Sequence, residues 1–173
     1  MTVDEGLSFL KTHQPMPDDA ELSEELVRAY DEVRRLFIAH PDARCIPLFL
    51  TSFGEGDGFG VYQLVEDVLR HFSLDKVLPH LRKGLTHGQR SIRYWNADIA
   101  ANFPTAELIE PLAQLLTEDD EDIRSAAAIA LGQIRDARAE GFLRQALANE
   151  SKPQLVSLFE KLLHTSHAPA THS

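Results

Sequence analysis

Apolar positions along the chain recur with two superposed periods. The shorter one is helical. In VYQLVEDVLRHF, starting at Val61, the apolar residues are Val61, Leu64, Val65, Val68, Leu69 and Phe72. Those offsets (i, i+3, i+4, i+7, i+8, i+11) trace one face of an α-helix. The same offsets from Ile123 give Ile123, Ala126, Ala127, Ala130, Leu131 and Ile134. From Ile92 they give Ile92, Trp95, Asn96, Ile99, Ala100 and Phe103, with Asn96 the one polar exception. The longer period is 31 residues and aligns whole columns: Leu50, Leu81, Leu112 and Leu143; Leu85, Leu116 and Leu147; Val61, Ile92 and Ile123; Phe72, Phe103 and Ile134; Arg93 and Arg124, with Tyr62 in the matching earlier place. Pro47, Pro79 and Pro111 recur one residue out of this register. A repeat of this length predicts two helices per unit, stacked so that neighbours bury what one hairpin cannot.

The first half of each unit also has helical spacing, as in VLPHLRKGL from Val77 and LIEPLAQLL from Leu108. The prolines are expected in the first turn, where a missing N–H costs little. Polar segments such as THGQRS and TEDDED separate the halves, and acidic residues there complement the positive end of the next helix dipole. The alanines between Ala126 and Ala130 allow close helix approach, whereas Trp95 requires small neighbours.

Outside the repeats, residues 1–19 read as a mobile N-terminal arm, residues 20–40 as a helix capping the stack, and residues 165–173 as a disordered tail. The repeats themselves are expected at 42–72, 74–103, 105–134 and 137–164, within one domain spanning 20–164.

Composition narrows the function. The chain carries 17 basic and 27 acidic residues, a formal net charge of −10. That balance disfavours direct nucleic-acid binding, which draws its affinity from Lys and Arg on phosphates, and favours partners with basic surfaces. No apolar run is long enough to span a bilayer, and the acidic N-terminal stretch lacks a signal peptide's pattern. Cys45 is the single cysteine, so no internal disulfide can form. A cytoplasmic protein without membrane contact is expected.

The segment DIRSAAAIALGQIRDARAEGFLRQALANE resembles a HEAT repeat of the short bacterial kind, in which an acidic residue precedes an Ile-Arg pair and an Ala-rich helix ends in Leu-Gly. Here these are Asp122, Ile123, Arg124, Ala127, Ala130, Leu131 and Gly132. The unit from Val77 to Phe103 matches more loosely, keeping Ile92, Arg93, Ala97 and Ala100, and that from Asp42 to Phe72 is degenerate. The resemblance implies an all-α, right-handed α-α superhelix of about four HEAT-like hairpins. It also implies that Arg93 and Arg124 belong to a structural Asp–Arg ladder between repeats. It further implies a scaffold for protein binding; some relatives attach bilin chromophores and others neutralise toxins.

Candidate chemistry is sparse. Gly54–Gly60 (GEGDGFG) invites a phosphate-loop reading, but no strand precedes it and no Lys-Ser/Thr follows. The plain alternative is a flexible connector; a contact loop presenting Asp57 and Phe59 is the functional one. The run Glu118–Asp122, with Glu118, Asp119 and Asp120 as contact candidates, is either helix-start complementarity or bait for a basic surface. Tyr62, Glu66, Asp67, Tyr94, Asp98 and Asn102 fall off the apolar faces of second helices, which line the concave surface in HEAT-like stacks; they are either a binding face or a solvated one. His71, His80 and His87 lack zinc spacing, and His164 with His167 lacks a third ligand. No catalytic residue, metal site or cofactor is expected. Cys45 reads as a buried apolar residue. The best expectation is a protein-binding module of the immunity type, blocking a cognate toxin through acidic side chains, with a scaffold subunit or a bilin-lyase-like enzyme as alternatives.

Overall fold

The computed structural model describes residues 1–165 and contains helices and turns, with no strand among them. It divides into two compact units, Met1–Ile99 and Ala100–Ser173.

The first unit begins with α1 (Val3–Thr12) and α2 (Glu24–Ala39). The expected mobile arm is thus corrected. Thr2 and Glu5 form a reciprocal capping box at the start of α1, and Leu7, Leu10 and Met16 are buried. At Gly6 an added Cβ would lie 2.9 Å from the Leu36 side chain, so the glycine sets the approach of α1 to α2. Residues 14–19 then run beside the segment after α3 (Cys45–Leu50). The Gln14 amide donates to Leu48 O at 2.8 Å, and the Met16 N–H donates to Ser52 O at 2.8 Å. α2 is therefore overlain by α1 and does not end the stack.

The second half of the 42–72 unit departs from the helix expected from Val61. Gly58–Gly60 and Tyr62–Leu64 are 3₁₀ turns, and a short α4 follows at Val65–Leu69. α5 (Leu74–Leu85) and α6 (Arg90–Ala100) make a regular hairpin. Pro79 sits inside α5, beyond its first turn; it lacks the N–H that would donate one turn back, to Asp75 O. The core is aromatic. Tyr30, Phe37, Phe49, Phe53, Tyr62 and Trp95 meet mostly edge to face, with centroids 5.4–5.9 Å apart, a favourable arrangement for ring quadrupoles. Trp95 is accommodated by this cluster, not by small residues, and its indole N–H donates to Gly56 O at 3.1 Å. Asn96 is buried, and its amide donates to Leu50 O and Ile92 O, each at 2.8 Å. Its oxygen faces Gly84, where any Cβ would collide with it. The one polar break in the helical pattern is therefore a buried brace between α3 and α6.

The second unit follows the sequence repeat closely. A 3₁₀ turn (Ala106–Leu108) leads into α7 (Ile109–Leu115), and α8 (Glu121–Gln133), α9 (Ala137–Asn149) and α10 (Pro153–Thr165) follow. α7 pairs with α8 and α9 with α10, while α7 packs on α9 and α8 on α10. Leu112, Ile123, Ala127, Ala130, Leu131 and Leu143 are buried between them. A Cβ on Gly132 would stand 2.9 Å from Leu162 Cδ2, so this position fixes the spacing of α8 and α10. Residues 166–173, which hold all but the first residue of the expected disordered tail, lie outside the described residues.

Candidate functional site

In the first unit, the Gly54–Gly60 loop is held on several sides and is not a flexible connector. Asp19 accepts from the Asp57 and Gly58 amides at 3.0 and 2.9 Å, and Asp18 accepts from the Glu55 amide at 3.0 Å. The Asp19 N–H returns a bond to Glu55 O at 3.0 Å. The loop's N–H groups therefore do bind an anion, as glycine-rich loops can, but it is the chain's own carboxylate. Arg90 adds an ion pair to Glu55 at 3.4 Å.

This fixed loop presents Phe59. The residue is 64% exposed, and its backbone lies in the left-handed region at φ 52°, ψ 37°. A bulky residue there is a genuine outlier. Asp57, expected as a contact, caps the same turn by accepting from the Gly60 amide at 3.3 Å. Phe59 and Leu64 edge a groove of about 430 Å³ whose other wall is α2, including Arg28, Asp31 and Arg35. Arg34 also lines it and is held by Asp31 at 2.7 Å, with Asp67 at 3.7 Å.

Tyr62, expected on a contact face, is instead buried in the aromatic core, where its hydroxyl accepts from the Gly54 amide at 3.2 Å. Burial pushes its phenol up to about 12. The helix that would have turned Tyr62 outward starts only at Val65. Tyr94 is half-buried; the Arg90 guanidinium lies 5.5 Å from its ring centroid and Trp95 lies 5.1 Å away.

Asp67 and Asp98 both act on Glu66. Partial burial raises the Glu66 carboxyl above its ordinary value, Arg70 opposes this, and Asp67 and Asp98 add to it. The Asp98 carboxyl is also raised, by the protein atoms around it, although the residue keeps a solvent-exposed face. Arg70 pairs with Glu66 at 3.1 Å.

In the second unit the acidic run is largely structural. Asp120 caps α8, accepting from Asp122 and Ile123 amides at 3.0 Å each. Arg124 donates to Glu118 O and Asp119 O at 2.7 and 2.8 Å, and to Glu150 at 2.9 Å. Arg93 reaches His87 O and Gly88 O at 2.9 and 3.1 Å from the same offsets. The expected arginine column thus braces the turn before each second helix, and for Arg124 the acidic partner is Glu150. Asn102 is exposed.

Cys45 is buried, and burial pushes its thiol up to about 12, which removes thiolate reactivity near neutral pH. Among the described residues no group of three or more His, Cys, Asp or Glu is placed to hold a metal; His167 lies outside them. No described helix is long and apolar enough to cross a membrane.

None of the curated proteins matches the chain in sequence. A family model for HEAT repeats matches residues 78–167, just over half of the chain. Its span begins in the second turn of α5 and runs on through α10, including both arginine braces. The chain belongs to the HEAT-repeat family.

Proposed function

We propose that the chain is an immunity-type inhibitor that binds a cognate toxin and covers its active site, with the first unit supplying the contact. HEAT repeats generally mediate protein–protein interaction and are typically non-enzymatic scaffolds. The observation that carries the finer reading is Phe59: a large aromatic ring held in solvent on a strained backbone by a loop that cannot relax. Strain of this kind persists where surrounding structure over-determines it and clusters at binding sites. An exposed aromatic beside arginines has the make-up of an interface hot spot.

The charge supports a basic partner. Glu66, Asp67 and Asp98 lie in the same unit as Phe59, and the whole chain carries −10. Opposite charge across an interface speeds encounter and suppresses wrong partners. Enzymes that cleave nucleic acid have basic clefts of the matching sign, and a cytoplasmic site of action follows from neutralising such an enzyme inside the cell. The alternative of a bilin-lyase-like enzyme asks for a deep apolar chamber, whereas the groove beside Phe59 is lined by charged side chains of α2. The scaffold-subunit alternative predicts association with a constitutive complex.

Co-expression with the product of the adjacent reading frame tests the proposal. The expected result is a stable complex that restores growth, with Phe59→Ala weakening it by about 2 kcal/mol or more, roughly thirtyfold in Kd. Failure to form a complex, or an unchanged Kd for Phe59→Ala, contradicts it.

A further inference from the structure

The second unit carries a separate groove of about 660 Å³ between α7 and α9. Two facing edges line it, Glu110, Ala113 and Gln114 on α7 with Thr117 just beyond its C-terminus, and Phe142, Gln145, Ala146 and Asn149 on α9. Each set has the i, i+3, i+4, i+7 spacing of one helix face. Gln114 and Gln145 occupy the same place in the 31-residue repeat. Both are exposed, and neither side-chain amide bonds to another described residue. Each amide offers a donor and an acceptor, the pair a peptide unit also presents. The alanines make a low apolar floor, and the half-buried Phe142 stands at one end. Arg124 lines the groove as well, but it is spent on Glu118 O, Asp119 O and Glu150.

The geometry points to a docking groove for an extended peptide segment of another protein, gripped through its main chain by Gln114 and Gln145. One apolar side chain lies on the Ala113–Ala146 floor against Phe142, and a flanking Lys or Arg meets Glu110. Charge selects this occupant. Glu110 is exposed at the groove, and a chain of net charge −10 repels a second copy of itself and acidic segments. The site lies wholly in the second unit and uses none of the first-unit residues proposed for toxin contact, so each proposal can fail without the other.

The test is an NMR titration of the full chain with a capped octapeptide of glycines carrying one central leucine flanked by two lysines. Three companions accompany it: glutamates for the lysines, serine for the leucine, and N-methylation of the two amides beside the leucine. Saturable shifts confined to residues 110–118 and 142–151 are expected. Each companion should bind at least about fivefold more weakly, and Gln114→Ala with Gln145→Ala should weaken the parent peptide about tenfold, in line with the loss of one or two hydrogen bonds. Equal binding of the acidic or N-methylated peptide overturns the proposal. So does indifference to the double substitution, and so does an absence of saturable shifts up to the peptide's solubility limit.

Discussion

Phe59 is where local physics and function conflict most openly. A left-handed backbone costs a non-glycine residue about 1–2 kcal/mol, and a largely exposed ring recovers little from burial in the isolated chain. Phe59→Gly is therefore expected to raise the urea unfolding midpoint, by about 1 kcal/mol in free energy, while abolishing partner binding. A fall in stability would show that the ring is structural. Leu112 gives the opposite case. It is fully buried in the second unit, and Leu112→Ala should cost about 2–5 kcal/mol in the same measurement. The leucine columns were legible because burial within regular hairpins follows the helical period. Tyr62 was misplaced because that period does not apply across 3₁₀ turns. Gly58, where a Cβ would press on the Tyr62 ring at 2.8 Å, was the available sign that the ring turns inward beside the glycine run.

At the scale of elements, the strap at residues 14–19 and the Gly54–Gly60 loop act as one piece. Asp19→Ala removes both carboxylate bonds to the loop amides. It should cost about 1–3 kcal/mol and speed hydrogen exchange at Asp57 and Gly58, leaving α8 protected; unchanged exchange there would contradict the bracing role. The strap was not legible as structure because its apolar residues are few, yet Thr2 and Glu5 already spelled a capping box and could have announced α1. The Arg124–Glu150 brace sets a second expectation. Burial pushes the Glu150 carboxyl up, but the Lys152 and Ser151 amides and the Arg124 guanidinium outweigh it, leaving the group below its ordinary 4.5. The native state thus holds fewer protons than the unfolded chain, so this contribution is complete above that ordinary value and is lost as pH falls through the native one. Glu150→Gln should flatten that acid limb in denaturation curves taken between about pH 2 and 6. The repeat made the position legible, since Glu150 lies 31 residues after Asp119, but an acidic partner for Arg124 at that place, contributed by the segment between α9 and α10, is a feature of the fold.

For the molecule as a whole, the acidic excess is argued to act on encounter more than on grip. Replacing Glu66 and Asp98 with Lys should slow association with a basic partner, reduce its sensitivity to salt and leave the fold intact. Because both carboxyls are raised above their ordinary values, Glu66 mainly by burial and Asp98 by the protein around it, they protonate before ordinary surface carboxylates as pH falls. Association should slow at a higher pH than exposed acids alone would give. The all-helical HEAT architecture was legible from period and register; the identity of the contact surface was not, since one aromatic ring on a strained turn leaves no periodic trace. Hydrogen exchange of the chain alone and in complex with the product of the adjacent reading frame reads the contact surface residue by residue. Protection gained across residues 54–67 and α2 is predicted; a stable complex that leaves those residues exchanging as in the free chain would contradict it.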